Sequence, residues 1–303
     1  MSTGHYVRLD GRGIITVAGK DRLAFLQGLV TNDVAACGAD HAIWAALLTP
    51  QGKFLHDFFM TDHDGIFWLD CEAGRLMDLG QRLRRYKLRA EIDLNIGQNV
   101  AAYVLPDGDP ALFGLPGTAG AAKTIPGGVI YVDPRLATVG LRAVGDPVKL
   151  ELFFRDSGLE QGGLDQYERA RIGLGLPDGS RDMSVEKATL LENGFEELGG
   201  VDFQKGCYMG QELTARMKYR GLVKKRLLPF EAEDDLFEEV DVIMADGREI
   251  AEIRSRAGRN GLALVRLDRW REAMASGKQL EADKVAVRLI PQSWMRLPEE
   301  KQD

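Results

Sequence analysis

Ile43-Trp-Ala-Ala-Leu-Leu-Thr49 and Lys53-Phe-Leu-His-Asp-Phe-Phe-Met60 are two apolar runs divided by Pro50-Gln51-Gly52. Apolar runs of strand length around a Pro/Gly turn read as a hairpin. Outward from it, Asp62-His-Asp-Gly65 marks a second turn and Ile66–Cys71 a third strand. A helix is predicted over 72–86, with Leu76, Leu79 and Leu83 as its inner stripe. Residues 88–94 alternate as a half-buried strand. Toward the N-terminus, Ile14–Val17 reads as a strand. A helical pattern follows on Leu23, Leu26, Leu29 and Val30, and polar Thr31-Asn32-Asp33 ends it. Helices interleave with hairpins, so the class is α+β with mixed or antiparallel sheets and not an all-parallel α/β sheet.

Toward the C-terminus, residues 106–128 are rich in Pro and Gly, and a subdomain break is expected within 96–128. Strands are predicted at 129–132 and 137–144, helices at 147–157 and 163–173, and irregular chain over 174–204. From 222 the character changes. Short strands at Arg226–Glu231, Asp241–Met244, Glu249–Arg254 and Gly261–Val265 alternate with Asp246-Gly247 and Arg259-Asn260-Gly261 turns. That pattern predicts a small C-terminal β-barrel at 222–303 behind a body spanning 1–221.

Acidic residues outnumber basic ones, 46 to 39, and the net charge of −7 argues against wholesale coating of nucleic acid. No apolar run approaches the roughly 20 residues of a membrane span. The N-terminus lacks the apolar stretch of a secretion signal, and the expected location is cytoplasmic. The three cysteines, Cys37, Cys71 and Cys207, are far apart and odd in number. They make neither a disulfide framework nor a metal cluster site. The four histidines show no ligand spacing.

Among these cysteines, Cys207 has the most polar surroundings, in Lys205-Gly-Cys-Tyr-Met-Gly-Gln-Glu212. Glycines at 206 and 210 permit sharp turns. A nearby ammonium favours the reactive thiolate, while a small buried hydrophobe is the bland alternative. Gln211 and Glu212 open an amphipathic stretch.

This octapeptide resembles the K-G-C-x-x-G-Q-E signature of YgfZ-type folate-binding proteins, a family related to the glycine-cleavage T-protein and itself implicated in iron–sulfur cluster assembly and, in bacteria, in tRNA modification. Phe25-Leu-Gln-Gly-Leu-Val-Thr-Asn-Asp33, Leu48-Thr-Pro-Gln-Gly-Lys53 and Arg171-Ile-x-x-Gly-x-Pro177 follow the family's order and extend the resemblance over nearly the whole chain. It implies a T-protein-like folate-binding body and a C-terminal barrel. It also implies tetrahydrofolate or a one-carbon derivative as cofactor, and iron–sulfur client or assembly proteins as partners.

Residue by residue, the resemblance implies that Glu192 takes the pterin edge, where a carboxylate accepts paired N–H bonds. Tyr208, Gln211, Glu212, Arg216 and Arg171 are expected beside the cofactor. Cys207 is expected as the chemically active group, with Lys205 tuning it. T-protein carries an acidic pair where this chain has His56-Asp57, so aminomethyl transfer is put in doubt and Asp57 remains a candidate base. The basic runs 82–89 and 216–226 suit folate polyglutamate or, as a weaker alternative, tRNA. No conventional turnover is expected; a folate-dependent one-carbon transferase and a tRNA-interaction module are the alternatives.

Overall fold

A computed structural model describes residues 4–106 and 108–298. It divides into two compact units. One holds residues 4–50, 55–106, 108–167 and 198–211; the other holds 51–54, 168–197 and 212–298.

The first unit is built on two sheets. A five-stranded sheet runs in the order Ile43–Leu48, Phe54–His63, Ile66–Glu72, Arg12–Ala18, Asp93–Ile96. The two hairpin turns form as expected. Gly52 adopts φ +81°, and Asp64-Gly65 turn back at φ +52° and +78°, with the Gly65 amide donating to Asp62 Oδ1 at 2.8 Å. Left-handed φ at both central residues matches the twist of flanking strands. Helix Leu76–Lys87 buries Leu76, Leu79 and Leu83, the predicted stripe. The second sheet has six strands in the order Glu160–Gln161, His5–Arg8, Ala101–Leu105, Leu141–Gly145, Gly128–Val132, Ala122–Ile125. Helix Pro147–Asp156 starts on Asp146, whose side chain accepts from the Val148 and Lys149 amides; this is an N-cap followed by proline at the first helical position.

Two predicted strands are corrected. Residues 88–92 are a turn, not a strand: Leu88 takes φ +42° and is 89% exposed, and the Ala90 amide returns to the Lys87 carbonyl. Only Asp93–Ile96 pairs, with Arg12–Ala18. The segment 137–144 is broken at Gly140 (φ +101°), where a Cβ would stand 2.2 Å from the Leu105 carbonyl oxygen. Ala137–Val139 is therefore a 3-10 turn and the strand begins at Leu141. The break expected within 96–128 does not divide the sheet, since Ala101–Leu105 and Ala122–Ile125 belong to the same one.

Arginine and aspartate sit in the interior of this unit. Asp70 accepts from Arg12 Nε at 2.7 Å and from Arg142 at 3.1 Å, Asp133 pairs with Arg135, and the Arg142 guanidinium lies 3.8 Å from the Phe59 ring centroid. Charges at such depth persist only when paired.

The second unit contains a closed six-stranded barrel in the order Lys225–Ala232, Asn260–Arg266, Arg248–Ala257, Val242–Ala245, Leu280–Ala282, Val285–Leu289. Closure leaves no open sheet edge. Helix Leu267–Ala275, not expected from the sequence, links two barrel strands. Residues 168–197 group with the barrel and not, as expected, with the body at 1–221.

Candidate functional site

The loop at 199–210 is seated on the segment Gly28–Asp33, which follows the short helix Arg22–Gln27. The Thr31 hydroxyl donates to the Gly200 carbonyl at 2.6 Å and accepts from the Ala46 amide. Asn32 Nδ2 donates to the carbonyls of Gly199 (2.7 Å) and Trp44 (2.8 Å). The Asp202 amide donates to the Thr31 carbonyl, and the Met209 amide to that of Gly28. Lys205 Nζ donates to the carbonyls of Val30 at 2.7 Å and Asn32 at 2.6 Å. Gln27 and Asp33 bond to each other at 2.8 Å and hold the seat itself. The stretches 25–33 and 199–209, distant in sequence, are thus two halves of one hydrogen-bonded structure.

Cys207 projects from this loop and is exposed. Gly206 (φ +86°) and Gly210 (φ +80°) turn the backbone on either side of it, conformations that side chains resist. Tyr208 is buried, with its amide donating to Gln211 Oε1 at 3.2 Å. Cys37 and Cys71 are both buried; burial pushes the Cys71 thiol up to about 12 against the pull of Arg12, and moves Cys37 upward too. Neither is available as a thiolate near neutrality. One thiol is therefore presented to solvent. Among the described residues no group of three or more Cys, His, Asp or Glu side chains is placed to hold a metal ion.

Lys205 was expected to tune this thiol. Its ammonium is instead committed to the two carbonyls of the seat and lies 5.5 Å from the Tyr208 ring centroid, and burial pulls its pKa down to about 8. It works as a clamp. Lys205→Met unpairs both carbonyls at once and is expected to cost about 1–3 kcal/mol. The loss is measured by denaturant unfolding, and hydrogen exchange at the 204–209 amides is expected to quicken.

Asp57 and His56 lie on the strand Phe54–His63, both buried. Asp57 Oδ2 accepts from the Trp44 indole at 3.0 Å, so it is no solvated outward residue. His56 bonds Asp78 at 2.8 Å. Burial, with Arg75, drives its pKa down to about 4 despite Asp78. A histidine with its pKa lowered on folding contributes stability that is complete above its unfolded value near 6.5 and declines as pH falls toward 4. The loss between pH 7 and pH 5 is expected to be about 2 kcal/mol. Urea unfolding at the two pH values checks it, and His56→Gln should flatten the dependence.

The remaining expected residues lie in the second unit or on the motif helix Gln211–Arg220. Glu192 is half-buried on the turn Leu191–Asn193, and its Oε2 accepts from the Thr189 hydroxyl at 2.7 Å. Its Oε1 has no described partner and retains acceptor capacity, so its chemistry fits a pterin edge. Glu212 and Arg216 are exposed. Arg171 does not fit: all its N–H donors are taken by Glu168, Asp182, Ser255 and the Leu176 carbonyl, leaving none for a ligand. The basic run 216–226 is not one solvated face either. Arg226 is buried against Glu197 and the Leu191 carbonyl, and Lys218 pairs with Glu196. Thr31 and Asn32 are the residues that sequence reasoning underrated, taking them as a polar helix end. Their place inside the 25–33 motif was the available signal.

A family model for the CAF17 C-terminal β-barrel domain matches residues 224–297. The human protein "Iron-sulfur cluster assembly factor IBA57, mitochondrial" is 31% identical over 300 residues, covering 92% of this chain and 81% of its own. Its mouse counterpart is 30% identical, covering 95% and 84%. An IBA57 homologue of Neurospora crassa is 32% identical over 237 residues, and the chain spans about half of its length (52%). Among solved structures, the glycine cleavage system aminomethyltransferase T of Bartonella henselae superposes with a TM-score of 0.73 over 96% of this chain and 86% of that one. At 15% identity that match establishes a T-protein fold and nothing about activity. The relatives' names carry a mitochondrial location, which overturns the cytoplasmic expectation. A missing secretion signal speaks to secretion and says nothing of the mitochondrion. Among the described residues no helix is long and apolar enough to cross a membrane.

Proposed function

The chain belongs to the IBA57 family of iron–sulfur cluster assembly factors, and from that membership we propose that it supports the building of iron–sulfur clusters in client proteins through Cys207. The resemblance drawn from sequence pointed to YgfZ-type proteins. The matched relatives put IBA57 in that place, and iron–sulfur assembly is common to both.

The observation that carries the reading is one exposed thiol on a loop clamped at both ends, in a chain whose other two cysteines are buried. A cluster needs about four ligands. One thiolate supplies a single ligand, so the remainder come from the partner. The cluster is cargo held jointly and handed on, not a resident group. The test is complementation of cells that lack their own copy, read as activity of iron–sulfur enzymes. Failure of the wild-type chain to restore it, at normal expression, would sink the reading.

Tetrahydrofolate binding is the finer part of the proposal. Bound folate supplies a carrier for one-carbon units. On this chain Glu192 accepts the amino-pyrimidine N–H groups, and exposed Arg216 is the cation on offer to an anionic tail. Calorimetric titration with tetrahydrofolate is expected to show binding that Glu192→Gln weakens by about ten-fold, the loss of one charged hydrogen-bond acceptor. Equal affinity of the two proteins would remove Glu192 from the site. A one-carbon transferase is less favoured: where T-protein has a second carboxylate, this chain has a buried histidine bonded to Asp78.

A further inference from the structure

On the first unit, away from the cysteine loop in sequence, a shallow groove runs between helix Leu76–Lys87 and the strand Asp93–Ile96. Its apolar lining is Ile15, Leu76, Met77, Gly80, Leu94 and Ile96, joined by Arg84 and Asn95. Its volume, about 20 Å³, is far below the few hundred Å³ of a small-molecule pocket. It has room for side chains laid along it, not for an enclosed ligand.

Three features coincide there. The strand Asp93–Ile96 is the last in its sheet, so one of its edges is outside the ladder. Such an edge offers backbone donors and acceptors to another strand. Large apolar side chains of the groove are exposed: Met77 at 56% and Ile96 at 47%. Finally, the end of the helix and the turn after it carry Arg84, Arg85, Lys87 and Arg89, none of which has an ion-pair partner among the described residues. The nearby acids are largely spoken for. Asp78 is held by Arg82 and His56, and Glu91 by Lys20. Asp93 alone on the strand opposes the four cations. In a chain of net charge −7 this is a local positive patch around an apolar slot.

We propose that this groove is a docking site for an extended, acidic segment of a partner protein. The segment adds as a strand to the edge at Asp93–Ile96, lays alternate apolar side chains between Met77 and Ile96, and sets its carboxylates against Arg84, Arg85 and Arg89. Main-chain pairing provides affinity, the slot selects alternating apolar residues, and the cations select charge and speed encounter. A nucleic acid would use the cations, with exposed Tyr86 among them, but would leave the apolar walls of the slot without a counterpart. The inference does not depend on Cys207 or on folate.

The test is selection from a display library of random peptides, roughly twelve residues long, on the purified full chain. Enriched sequences are expected to carry several Asp or Glu beside alternating Val, Ile, Leu or Phe. A synthetic peptide of the commonest sequence should bind about ten-fold more weakly to Arg84→Glu/Arg85→Glu and to Met77→Asp. It should also slow amide exchange at Asp93–Ile96. All three substituted residues are exposed, and unchanged melting temperatures establish that the variants fold. No enrichment, neutral or basic winners, or binding indifferent to both variants overturns the proposal. So does a result in which single-stranded RNA binds through the same arginines, with a steep salt dependence, while the peptides do not.

Discussion

Cys207→Ser is expected to fold like the wild type and to leave iron–sulfur enzyme activity at the level of cells carrying no copy of the protein. The two halves of this expectation come from different parts of the structure. Cys207 is exposed, and its loop is held by Thr31, Asn32 and Lys205 through bonds that do not involve the thiol. An exposed residue outside the packed core changes stability by no more than about 0.5 kcal/mol. The proposed role depends on sulfur. A serine hydroxyl is not ionised near neutrality and is a hard ligand where iron–sulfur sites take thiolates. Alkylation of the native protein is a second measurement: iodoacetamide should label Cys207 and spare Cys37 and Cys71, whose thiols burial keeps protonated. Full rescue by Cys207→Ser in the complementation test would end the active-thiol reading while leaving family membership untouched.

Arg171→Met is expected to destabilise the unit that contains the barrel by about 3–5 kcal/mol, the cost of breaking a buried ion pair from one side. Arg171 and the Asp182 side chain are fully buried, 2.8 Å apart. Glu168 takes a second set of guanidinium donors, and the Ser255 hydroxyl, on a barrel strand, bonds both Arg171 and Asp182. Removing the guanidinium leaves Asp182 with only the Ser255 hydroxyl and the Asp178 amide. Burial already pushes the Asp182 carboxyl upward, with Arg171 as the opposing influence, so the stability deficit of the variant relative to the wild type should shrink as pH is lowered and Asp182 takes up a proton. Arg171→Met/Asp182→Asn should recover part of the loss, because no unpaired charge remains. Chemical unfolding of the three proteins measures this. A cofactor-binding arginine would behave differently: its loss would weaken tetrahydrofolate binding and leave stability nearly unchanged.

Arg171 also shows where reading the sequence ran short. Arg-Ile-x-x-Gly-x-Pro was recognised as a family motif, and a motif arginine invites a ligand. Its actual partners, Asp182 and Ser255, are 11 and 84 positions away, and no local pattern announces them. The same holds for Asp57, a candidate base in the sequence, whose Trp44 partner only the fold places against it. Buried polar side chains are legible only with their partners, and those come from other elements. The helix stripe Leu76, Leu79, Leu83 stands at the other extreme. It is fixed by a period of 3.6 residues, so counting positions was sufficient.

By itself the sequence determined the α+β class, both hairpin turns and the barrel. These follow from alternation, glycine and proline, and short motifs, all of which act over a few residues. Tertiary structure alone decided that Leu88 turns the chain and pairs with nothing, and that residues 168–197 group with the barrel. It alone decided that Lys205 grips the 30–32 backbone and leaves Cys207 bare. The physical reason is range. A lysine's hydrogen-bond partners and a cysteine's exposure depend on which distant backbone arrives beside them, and here Val30 and Asn32 lie 175 and 173 positions from the ammonium that binds them.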